Sequence, residues 1–159
     1  MKKLVIIDMQ KGFINKNNSF LVENIENLIK NCQFDEIIAT KFVNKENSQY
    51  ERILNWKEMM GGEQIEFALP FPKNTRVIQK CSYSLPIESL DDFSEEDEVY
   101  LCGTDYDACV LAIGYQLFDC GVSVKFISNA ISSSSSKDRS ETLNEIVVRN
   151  FGKDALIKI

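Results

Sequence analysis

A chain of 159 residues without a single histidine cannot run Ser-His-Asp or Cys-His catalysis, nor build a zinc or iron site on imidazole. Proton transfer must fall to carboxylates, lysine, tyrosine or cysteine. Three such residues stand where apolar runs end: Asp8 after the run from Lys3, Lys80 after Thr75–Gln79, and Cys109 just beyond Glu98–Cys102. Singly, each has an ordinary reading as a turn aspartate, a solvated lysine and a core cysteine. Together they make a base, a cation and a nucleophile. A thiol near a helix amino terminus, with an ammonium close by, is favoured as thiolate. Asp8 would take its proton, then pass it to a leaving amine or activate water.

The elements that must position these residues follow from patterning. Lys3–Asp8 is a β-branched run suited to an interior parallel strand. Leu21, Val22, Ile25, Leu28 and Ile29 recur at helical spacing between Ser19, a candidate cap, and Cys32. Glu36–Thr40 reads as a second strand, and Tyr50–Trp56 as a short helix closed by Gly61 and Gly62. Thr75–Gln79, Glu98–Cys102, Val122–Ile127 and Asp154–Lys158 complete six strands. A helix is expected over Asp107–Cys120, ended by Gly121, and another over Glu141–Asn150, after the serine loop Ser132–Ser136. Strands alternating with helices imply right-handed crossovers, hence a doubly wound α/β domain with a parallel six-stranded sheet and helices on both faces. One domain spans residues 1–159. Its ligand should sit at the carboxyl ends of the strands.

Composition narrows the function. With 44% hydrophobic and 26% charged residues, and 18 Lys plus Arg against 24 Asp plus Glu, the chain is expected to bind neither nucleic acid nor membrane. No apolar run reaches the roughly 18–20 residues of a membrane span, and the start MKKLVIIDMQ is too short in its apolar part for a signal peptide. The run from Asp91 to Glu98 reads as a solvated acidic turn. Five cysteines, an odd number with no CxxC pair, are expected as reduced and mostly buried thiols of a cytoplasmic protein.

Three segments carry a resemblance: VIIDMQKGF at 5–13, VIQKCSYS at 77–84 and LCGTDYDACV at 101–110. In order and spacing they resemble the isochorismatase-like cysteine hydrolases, which include nicotinamidases, carbamoylsarcosine hydrolases and isochorismatases. The resemblance runs from residue 3 to the last strand. It implies a sheet ordered 3-2-1-4-5-6, Asp8 as general base, Lys80 as orienting cation and Cys109 as nucleophile. It also implies a cis peptide at Thr104–Asp105, an oxyanion hole from the N–H groups of Asp105 and Cys109, Phe13 as a pocket wall, and a homo-oligomer. Phe42, Trp56, Tyr83 and Tyr106 are further candidates for the pocket.

The departures are informative. Nicotinamidases bind a metal through histidines after the second strand, where this chain has only Thr40–Ser48 and no histidine. It is therefore similar to the metal-free branch of the family, for which neither a metal nor another cofactor is expected. Asp105 and Asp107 are more acidic than usual for their loop, and Asp107 is expected to oppose ionisation of the thiol. The expected partner is a small amide-like substrate, cleaved at a C–N bond through a thioester. The alternative is a silent binding or scaffold protein of the same fold. Phosphotransfer fits worse, because Gln10 stands where a second aspartate would be needed, and no GxGxxG or Walker loop occurs.

Overall fold

Leu4, Val5, Ile6 and Ile7 are all wholly buried, as a strand covered on both faces requires. In the computed structural model, which describes residues 1–159 apart from the side chain of Lys137, they form β1 (Lys2–Ile7) near the middle of the sheet. Around it lie β2 (Glu36–Phe42), β3 (Arg76–Lys80), β4 (Glu98–Gly103), β5 (Ser123–Ile131) and β6 (Leu156–Ile157). The order is β3-β2-β1-β4-β5-β6, and every pairing is parallel.

Helix α1 (Phe20–Asn31) joins β1 to β2, whereas α3 (Leu111–Asp119) joins β4 to β5 and α4 (Ser140–Phe151) joins β5 to β6. Those connections run in opposite directions from the centre, so right-handed crossovers put α1 on one face and α3 and α4 on the other. Leu21, Ile25 and Leu28 form the buried stripe of α1. Ile113, Gly114 and Leu117 do the same for α3, where Gly114 permits close approach to the sheet: a Cβ there would lie 2.5 Å from the Phe126 ring. The two directions diverge between β1 and β4, where Ile7 pairs with Gly103. Gly103 has φ +111°, and a Cβ would meet Ile7 O at 2.2 Å, so no other residue fits there.

Several local expectations are corrected. The short helix is α2 (Gln49–Leu54), capped by the Ser48 hydroxyl accepting from Glu51 N–H and ended by Asn55 at φ 52°, not by the glycines. Ser19 is itself helical and makes no side-chain cap. The helix expected from Asp107 begins as a π-helical turn over Tyr106–Val110 before α3. Cys102 and Cys109 are buried, but Cys32 is half-buried and Cys81 and Cys120 are exposed, all five as free thiols. The acidic turn is not wholly solvated, since Asp97 is buried against Lys3, 2.9 Å away. No helix of the described residues is long and apolar enough to cross a membrane.

Candidate active site

The carboxyl ends of β1 and β3 and the turn after β4 bring Asp8, Lys80 and Cys109 to one point. Asp8 adopts φ 48°, a left-handed conformation that aspartate tolerates better than most residues, and so leaves the strand's alternation where β1 stops. Lys80 Nζ lies 2.7 Å from Asp8 Oδ2 and donates to Cys109 Sγ at 3.3 Å. It also donates to the Ser82 carbonyl at 2.9 Å and sits 5.2 Å from the centre of the Phe42 ring. All three residues are buried, at 1%, 3% and 6% exposure for Asp8, Lys80 and Cys109.

The two oxygens of Asp8 are not equivalent. Oδ1 accepts from the Thr40 hydroxyl at 2.6 Å, and the same hydroxyl oxygen accepts from Asp8 N–H at 3.0 Å. Oδ2 touches the Lys80 ammonium but receives no well-angled hydrogen bond. It is the oxygen with room for a proton. Thr40 was not singled out from the sequence, where it is one more β-branched strand residue.

Electrostatics sets the resting state. Burial pushes the Cys109 thiol well up, and the Asp8 carboxylate adds to this more than the Lys80 ammonium offsets it. For Lys80, burial alone would lower the pKa, but Asp8 and Cys109 outweigh it and raise the group above an ordinary lysine. Both shifts favour an ammonium on Lys80 and a protonated thiol on Cys109. The expected thiolate is corrected on this point: enclosure outweighs the nearby cation. The Asp107 carboxylate accepts from the Ser133 hydroxyl at 2.5 Å and pairs with Arg139 at 2.7 Å.

The Thr104–Asp105 peptide is cis. In the π-turn that follows, the N–H groups of Ala108 and Val110 both donate to the Asp105 carbonyl, each at 3.1 Å. Among the described residues, the Asp105 and Cys109 N–H groups reach no acceptor outside that turn. The loop after β5 braces the corner: Ser134 donates to the Asp105 carboxylate through its N–H at 2.6 Å and its hydroxyl at 2.7 Å. Buried Asn18 reaches Thr104 from the other side at 3.2 Å.

A cavity of about 150 Å³ opens over these groups, walled by Phe13, Phe42, Tyr50, Trp56 and Tyr83, with Asp8, Asp105 and Cys109 at its base. Tyr106, a candidate wall, is instead fully buried, its hydroxyl donating to Asn144 at 3.0 Å. Tyr50 was missed because it belongs to a short, irregular stretch, yet its ring meets those of Phe42 and Tyr83 edge-on at 5.3 and 5.2 Å. Gln10 was also missed as a positioning residue. Its amide accepts from Phe42 N–H at 2.7 Å and donates to Phe42 O at 2.9 Å, stitching the end of β2 to the first motif.

The segment Thr40–Ser48 does not fit a metal. Its buried amide, Asn44, is engaged within the protein: it accepts from Lys45 N–H at 2.9 Å and the Ser48 hydroxyl at 2.7 Å, and donates to Glu58 O at 3.1 Å. Among the described residues no three His, Cys, Asp or Glu side chains converge as a ligand set would.

This architecture recurs in solved proteins. PnC1 from L. infantum in complex with nicotinate superposes with a TM-score of 0.82 at 19% identity, over 99% of this chain and 92% of that one. The pyrazinamidase of Pyrococcus horikoshii in complex with zinc gives 0.80 at 18%, over 99% of both chains. N-carbamoylsarcosine amidase from Thermoplasma acidophilum gives 0.79 at 17%, over 99% and 95%. At such identities the likeness is one of fold. In sequence, 71 residues are 32% identical to isochorismatase domain-containing protein 2 of Danio rerio, a stretch that is 42% of this chain and about a third (36%) of that protein. The isochorismatase domain itself matches from residue 2 to residue 153. Because that match takes in both strand ends and the turn bearing the cysteine, the chain belongs to the isochorismatase-like hydrolase family.

Proposed function

We propose that this protein is a metal-independent cysteine amidohydrolase that cleaves the C–N bond of a small amide through a thioester. The observation that carries this reading is the double contact of Lys80, 2.7 Å from the Asp8 carboxylate and 3.3 Å from the Cys109 sulfur, under a cavity large enough for a six-membered ring. Nothing in packing a parallel sheet calls for a buried acid, base and thiol in contact.

As the Cys109 sulfur attacks the carbonyl carbon, its proton passes to Asp8 Oδ2. Negative charge gathers on the former carbonyl oxygen, where the N–H groups of Asp105 and Cys109 receive it. Such preorganised donors contribute on the order of 3–4 kcal/mol each in comparable sites. Asp8 then protonates the leaving nitrogen, the C–N bond breaks and the acyl group remains on sulfur. A water molecule gives a proton to Asp8 and attacks the thioester. The C–S bond breaks, the carboxylic acid leaves and Cys109 recovers its proton. Lys80 stays charged throughout and holds the aspartate and sulfur in register.

The test is a screen of small amides for released ammonia, run with and without a chelator and beside Cys109→Ala. Ammonia release that survives chelation and vanishes in Cys109→Ala supports the reading, as does a single acyl adduct on Cys109 seen by intact-protein mass spectrometry. Full activity in Cys109→Ala, or activity lost with a tightly bound transition metal, ends it. Ligand binding without ammonia from any amide would favour a silent binding protein instead.

A further inference from the structure

The cavity is unbalanced in charge. Five aromatic rings form its wall, and among the described residues neither lysine nor arginine lines it. Lys80 lies beneath, its charge matched by Asp8 at 2.7 Å. Asp107 is matched by Arg139 at 2.7 Å. Asp105 also lines the cavity, but among the described residues its carboxylate is held by neutral donors: the N–H and hydroxyl of Ser134 and the hydroxyl of Thr104. One negative charge without a paired cation among the described residues therefore lies beside an aromatic enclosure, on a residue that lines it.

An anionic ligand would leave water for a wall of like sign. An uncharged one would gain only buried area. A cation gains that area plus the attraction of ring faces and of Asp105, both strengthened where water is excluded. We propose that the cavity selects small amides whose acyl part is positively charged, such as a quaternary ammonium one carbon from the carbonyl, with Asp105 as the counter-charge. This deepens the hydrolase reading and rests on it for turnover, though not for binding. Asp105 would then act twice, its N–H on the carbonyl oxygen and its carboxylate on the distant cation.

The experiment compares 2-(trimethylammonio)acetamide with its uncharged isostere 3,3-dimethylbutanamide, which share shape and reacting group and differ in charge alone. Binding is read in Cys109→Ala from the fluorescence of Trp56, the one tryptophan of the chain. The cation should bind about tenfold tighter, and the anionic succinamate more weakly than either. In Asp105→Asn, with folding checked by its melting temperature, the preference for the cation should shrink to about twofold. Should that variant not fold, the three-ligand comparison decides without it. Equal or tighter binding of the isostere overturns the proposal. Turnover by the unaltered protein separates the two claims: a higher kcat/KM for the isostere removes the charge selection and keeps the hydrolase. Binding of the cation without ammonia from any amide removes the hydrolase and keeps the cation site.

Discussion

The Asp8 carboxylate has one oxygen tied to Thr40 and the other to Lys80, and this division gives its chemistry a direction. Thr40→Val removes the donor to Oδ1 and leaves that buried oxygen, and the Asp8 N–H bonded to the same hydroxyl, without partners. The expected loss of stability is about 1–3 kcal/mol, measured by urea denaturation. Turnover should fall more steeply than substrate binding, because the freed carboxylate can turn its remaining lone pairs away from the sulfur. Unchanged kcat in a variant with the expected stability loss would show that Thr40 only packs. Asp8 and Lys80 are readable because each ends the run of a strand, and Cys109 because it stands just beyond the fourth. Thr40, Gln10 and Tyr50 follow their local patterns, and their roles exist only through partners at least 32 residues away for Thr40 and Gln10. No reading of neighbouring residues could have found them.

At the scale of elements, the strands and their order were readable, since continuous β-branched runs and alternating helices leave few ways to wind a parallel sheet. The π-turn over Tyr106–Val110 was not, because an apolar stripe has nearly the same spacing in a π-turn as in an α-helix over so few residues. Such turns recur at functional sites, and this one carries Cys109. It is held in place by α3, whose approach to β5 depends on Gly114 facing the Phe126 ring. Gly114→Ala should therefore lose about 1–3 kcal/mol through overpacking, even though alanine is the better helix former by about 1 kcal/mol. Adding Phe126→Leu to Gly114→Ala should recover part of that loss, a coupling that a double-mutant cycle reads directly. Additive losses in the cycle would mean that the helix sits where it does for some other reason.

For the molecule as a whole, the two ends of the sheet carry matching devices. At the carboxyl end Lys80 pairs with Asp8; at the amino end buried Lys3 pairs with Asp97 at 2.9 Å and approaches Glu36 at 3.7 Å. Asp97 reads from the sequence as part of a solvated turn because an acidic run looks the same whether or not a buried lysine lies behind it. It should set the acid limit of stability. Burial alone would raise Asp97, but bonds from Lys3, Ser94 and the amino terminus hold it well below the usual aspartate range. A group depressed in the folded state contributes stability above its unfolded pKa of about 3.9, and that contribution is lost as pH falls through the folded value. Asp97→Asn should lower stability at neutral pH and flatten the acid limb. The alkaline limit has the opposite sign. Burial raises the thiols of Cys102 and Cys109, so above about pH 8.5 the unfolded chain releases two protons that the folded chain retains, and stability falls by about 1.4 kcal/mol per pH unit for each thiol. Cys102→Ala removes one of the two without touching the site. Its stability, followed by urea denaturation between about pH 8.5 and 9, below the range where the buried phenols of Tyr50 and Tyr106 begin to add to the loss, should fall with roughly half the slope of the unaltered protein, and an unchanged slope would refute the assignment of that limb to buried thiols.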